Sequence, residues 1–92
     1  MILRILGEGQ FEVDDTHLDE LNRLDDELVA AVETGDDEAF RTRLETLIDR
    51  AHAIATPVAA DYLGPSDCAL PGADATLAEV RELLGDEGLI PG

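Results

Sequence analysis

Arg43 and Arg50 are the side chains whose type and spacing best fit a binding role. Neither has an Asp or Glu three or four positions to either side, whereas Arg41 has both Glu38 and Glu45 within one turn. About two helical turns separate them, so on a helix they share one flank. In so acidic a chain, two cations without a local partner admit two readings. They pair across to acids of the preceding helix, or they anchor an acidic stripe on a partner helix.

The remaining reactive side chains do not assemble into a reaction. His17 stands at a helix start, His52 on the polar flank of a helix and Cys68 in an expected strand. No Ser/His/Asp or metal-ligand spacing connects them, so no catalytic residue, metal or cofactor is expected and the chain is not read as an enzyme. As the sole cysteine, Cys68 cannot close an internal disulfide. It reads as a small core residue in a reducing compartment. Asp25 falls just inside the edge of an apolar stripe. There it is either a rim carboxylate, solvated or paired with an arginine, or a functional acid with a raised pKa.

These residues hang on a segment from Thr16 to Ala55 that predicts two antiparallel helices. Leu18, Leu21, Leu24, Leu28, Ala31 and Val32 recur at helical spacing in its first half. Phe40, Leu44, Leu47, Ile48, Ala51, Ile54 and Ala55 do the same in its second. Between them, Gly35 can end the first helix in a left-handed conformation, and Asp36 can accept from the free amides that open the second. The result is an αα-hairpin over 16–55. Thr16, with Asp19 three residues on, is the expected N-cap of the first helix.

Around that hairpin the pattern changes period. Residues 1–14 read as a β-hairpin, with Leu3 and Ile5 on one face, Phe11 and Val13 pointing alike, and Gly7 and Gly9 in the loop. A two-stranded hairpin is marginal in water, so it must pack on the helices or gain a strand. Pro57 ends the second helix and opens a connector over 56–65, whose Tyr62 and Leu63 are available to cover the core. Residues 66–70 form a strand flanked by Pro65 and Pro71, hence an edge strand added to the hairpin. Thr76 and Glu79 stand at capping-box spacing before a helix over 75–84, with Leu77, Val80, Leu83 and Leu84 on one face and Gly85 as its stop. The tail, 85–92, carries the apolar pair Leu89 and Ile90, which returns to the core or docks on a partner. The fold class is α+β in a single domain.

Composition narrows the partners. Acidic residues number 22 against 6 basic ones, all of them arginine, for a net charge of −16. Such a surface repels phosphate backbones and anionic headgroups, so nucleic acid and bare membrane are not expected ligands and other proteins are. Acidity without lysine also fits a salt-rich cytoplasm. With no long apolar run and no basic-then-apolar leader, a cytoplasmic location is the default expectation.

Two segments together resemble a known family. The first runs Met1-Ile-Leu-Arg-Ile-Leu-Gly-Glu-Gly-Gln-Phe-Glu-Val-Asp-Asp15 and continues into Leu24-Asp25-Asp26-Glu27-Leu28. The second comprises Pro65-Ser66-Asp67, Leu70-Pro71, Asp74-Ala75-Thr76-Leu77 and the closing Asp86-Glu87-Gly88-Leu89-Ile90-Pro91-Gly92. At these places the chain resembles the PspA-associated family, small proteins of archaea and actinobacteria found beside PspA, the phage-shock protein of the envelope stress response. The resemblance implies a non-enzymatic accessory protein working with a PspA-like partner, itself a coiled-coil, ESCRT-III-like protein that protects stressed membranes. It brings no set of binding residues with it, so Arg43, Arg50, Leu89 and Ile90 are candidates on their own chemistry. Two rivals remain beside it: an acidic antitoxin or nucleic-acid mimic, and a small enzyme of unknown type.

Overall fold

The computed structural model describes residues 1–59, 62 and 64–84. A four-stranded mixed sheet forms one layer, in the order β3-β2-β1-β4, from β1 (Ile2–Ile5), β2 (Gly9–Glu12), β3 (Thr56–Pro57) and β4 (Cys68–Leu70). The helical hairpin of α1 (Leu18–Thr34) and α2 (Asp37–Ile54) packs on it, and the two-turn α3 (Leu77–Leu83) docks on α1. This is the expected α+β architecture.

The sheet grows on both sides of the N-terminal hairpin. β1 and β2 are antiparallel, with Leu3 opposite Phe11 and Ile5 opposite Gly9. β4 joins β1 in parallel, Leu3 against Cys68 and Ile5 against Leu70, as an edge strand shorter than 66–70. Asp67 extends this junction by donating its amide to the Ile2 carbonyl at 2.7 Å and accepting the Ile2 amide on its carboxylate at 2.8 Å. The expected connector over 56–65 is corrected at its start, because Thr56 and Pro57 pair with Glu12 and Phe11 as β3. Proline is tolerated there because β3 is an edge and needs no outward donor. Gln10 lies on the sheet face away from Leu3 and Ile5, and its amide donates to the Gly64 carbonyl and the Ser66 hydroxyl at 3.1 and 2.8 Å. The connector's end is thereby held to the outer side of the sheet.

Burial follows the helical periodicity. Leu21, Leu28, Ala31 and Val32 of α1 meet Phe40, Leu44, Leu47, Ile48 and Ala51 of α2 in a core that also takes in Leu3, Ile5, Val13, Leu70 and Val80. Gly35 caps α1 with φ +75°, in the left-handed region, and Asp36 accepts from the amides of Glu38 and Ala39. A Cβ at Gly35 would meet nothing within 4 Å, so only the backbone conformation resists substitution. Gly35→Ala is therefore expected to cost about 1 kcal/mol and lower the thermal midpoint by roughly 4–8 °C, read by circular dichroism.

Several expectations are corrected. The first cap is Asp14, which accepts the Thr16 amide and starts a 3-10 turn over Asp15–His17, so Thr16 is already inside the turn and α1 begins at Leu18. That backbone bond holds the Asp14 carboxyl below its usual range. Tyr62 does not cover the core; it is exposed, as is Leu83. Leu83 escapes because α3 is so short that Val80 alone is buried on it. The Thr76–Glu79 capping box is formed as expected. Leu63, Gly85 and the Leu89–Ile90 pair lie outside the described residues.

Candidate functional site

Each arginine of α2 and α3 can be judged by what holds it. Arg50 donates through Nε to Glu20 Oε1 at 2.9 Å, tying α2 to α1. Arg41 donates to the Ala73 carbonyl at 2.9 Å while its guanidinium stands 5.6 Å from the Phe40 ring centroid. Arg81 crosses from α3 to the Val32 carbonyl at 2.9 Å. Arg43 is held differently. Its nearest acid is Glu27 at 4.0 Å, with both side chains half exposed. The structure therefore brings both Arg43 and Arg50 to acids of α1, as the cross-hairpin reading has it. Only Arg50 makes a hydrogen bond; the Arg43 contact sits at the limit of an ion pair and adds little on an exposed surface.

Arg43 also stands where two shallow surface depressions meet near the hairpin turn. One, of about 340 Å³, is lined by Asp36, Glu38, Ala39, Thr42 and Arg43. The other, of about 270 Å³, is lined by Glu27, Ala30, Ala31, Thr34, Ala39 and Arg43. Sharing Ala39 and Arg43, they form one groove across the ends of α1 and α2. Its floor is alanine, its rim carries carboxylates, and a cation stands in the middle. Sequence reasoning found Arg43 but not the groove, since the small residues of its floor belong to two different helices. It also missed Arg81. The available signal was that α1 has no basic residue in its last turn, where the carbonyl end of the dipole favours a cation.

Buried polar chemistry lies elsewhere. Asp25 is only 1% exposed, not at the rim, and occupies the α1 stripe between Leu21 and Leu28. Among the described residues no buried side-chain nitrogen or oxygen lacks a hydrogen-bond partner. Cys68 is buried in β4, where desolvation first, then the charges of Asp67 and Asp25, push its thiol from 9.0 to about 11. At pH 8 about one folded thiol in a thousand is then a thiolate, so alkylation by iodoacetamide is expected to run about a hundredfold slower than in the unfolded chain. Because the unfolded thiol ionises first, stability falls as pH rises from about 9 to about 11. A folded protein that alkylates as fast as the denatured one contradicts this.

The histidines remain apart. His52 Nε2 lies 2.8 Å from Glu8 Oε1, with the Phe11 ring edge-on at 6.3 Å, while His17 ends the 3-10 turn. Among the described residues no group of three or more His, Cys, Asp or Glu side chains could hold a metal ion. No helix among them is long and apolar enough to cross a membrane.

No curated protein and no solved structure matches the chain. The model of one family, described as PspA-Associated protein, matches residues 1–92, in agreement with the resemblance carried by the two ends of the sequence. With the match spanning every residue from the first strand to the tail, the chain belongs to the PspA-associated protein family.

Proposed function

We propose that this chain is a non-enzymatic accessory protein that binds a PspA-like, coiled-coil membrane-stress protein. The full-length family match carries the reading, since the family's own description is one of association with PspA. Surface charge supports it. A net charge of −16 opposes direct contact with anionic lipid, so the partner, not this chain, supplies the membrane contact. The protein then works in the cytoplasm, and at the membrane periphery only through its partner, within an envelope stress response.

Co-purification with the PspA-like protein of the source organism tests this in lysate made with molar KCl. A complex that persists there is expected, because an apolar contact survives screening of charge. A partner that is strongly basic and released by salt would instead identify a nucleic-acid mimic. Tight adhesion of the purified chain to protein-free anionic vesicles would also overturn the proposal.

A further inference from the structure

We infer that the groove at the tip of the helical hairpin, centred on Arg43, is the surface that receives one helix of the PspA-like partner. The inference rests on the function proposed above and adds the place and the chemistry of contact. Three observations carry it.

First, Arg43 is the least committed arginine of α2 and α3. Arg41, Arg50 and Arg81 each donate a hydrogen bond of 2.9 Å to a residue of this chain, whereas Arg43 has only the 4.0 Å approach to Glu27. An arginine so placed can turn to a carboxylate on another molecule and form the bidentate pair that Glu27 does not provide. Little is lost in doing so, because both Arg43 and Glu27 are half exposed.

Second, the floor is built from small side chains of both helices. Ala30 is exposed and Ala39 half-buried, so beside Arg43 and the carboxylates the lining offers only alanine and threonine side chains to an incoming backbone. A helix seated there can bury its own apolar side chains on alanine at close range.

Third, the charges select the occupant. Around the central cation lie Glu27 on one side and Asp36 and Glu38 on the other. The complementary helix carries an acid facing Arg43 and basic residues about a turn away on each side. Alternation of acids and bases along one flank of an apolar seam is the pattern of coiled-coil helices. A uniformly acidic helix would meet repulsion from the rim, and a uniformly basic one would leave Arg43 without a facing carboxylate.

The test compares Arg43→Gln, Ala30→Trp and Arg4→Gln with the wild type, in full-length chain titrated against the purified PspA-like protein. Arg4 is exposed on the outer face of the sheet, so its variant repeats the charge change of Arg43→Gln away from the groove. Arg43→Gln and Ala30→Trp are each expected to weaken binding about tenfold or more with thermal midpoints within a few degrees of wild type. Arg4→Gln is expected to bind within about twofold of wild type. Wild-type-like binding by both groove variants overturns the groove and leaves the accessory function standing. Equal weakening by Arg4→Gln and Arg43→Gln also overturns it, because net charge would then explain the loss. If Ala30→Trp instead dissolves a self-association of this chain without touching partner binding, the groove's occupant is a second copy and the inference fails. No binding by the wild type removes the proposed function itself.

Discussion

In 10 mM salt the thermal midpoint is expected to lie on the order of 20 °C below its value in 1 M KCl, with the cooperative transition itself weakened. The cause is self-repulsion among charges that sum to −16 in a body with a radius of gyration of 12.6 Å. At 0.01 M ionic strength the Debye length of about 30 Å exceeds that radius, so every carboxylate feels every other. At 1 M it contracts to about 3 Å, and only immediate neighbours interact. Unfolding spreads the charges, so the repulsion relieved on going to high salt is larger in the folded state, on the order of 5 kcal/mol by continuum electrostatics. That is comparable with the whole stability of a small domain. Circular dichroism melts across a KCl series check this, and midpoints that agree within a few degrees would contradict it.

Phe40→Ala, measured at high salt where the wild type folds cooperatively, should lose about 3–5 kcal/mol. Phe40 is 1% exposed at the start of α2, the only aromatic residue fully inside the described core. Its removal leaves a cavity in a core whose two helices are already in contact, so collapse to fill it is limited. For a chain of this length the midpoint should fall by roughly 15–30 °C. Tyr62→Ala is the comparison: at 38% exposure it should stay within about 0.5 kcal/mol of wild type. A Phe40 variant that melts like the Tyr62 variant would show that the hairpin core is not packed as described.

Much of the architecture was legible because its signals are local. The helical hairpin is written in apolar side chains recurring every three or four residues, in a left-handed Gly35 and in an Asp36 that caps two amides, all decided within one or two turns. The N-terminal β-hairpin, the edge position of the strand ending at Leu70, and the Thr76–Glu79 cap are local in the same sense. So was the family resemblance, which lies in contiguous stretches at the two ends. The places where local reading failed are those where two local options compete. Thr16 and Asp14 could each cap the first helix, and the aspartate prevailed by reaching the Thr16 amide.

By itself the sequence determined two amphipathic helices, a strand pair, a strongly acidic surface and the family. Tertiary structure alone decided that Thr56 and Pro57 become a strand, that β4 runs parallel to β1, and that Asp25 lies in the core instead of at its rim. It also decided which arginines are spent inside the fold: Arg81 reaches Val32 across 49 residues of chain and Arg50 reaches Glu20 across 30. Helical periodicity specifies which side of a segment is buried, whereas pairings at such separations depend on how whole elements are brought together, and no residue's immediate neighbours encode that.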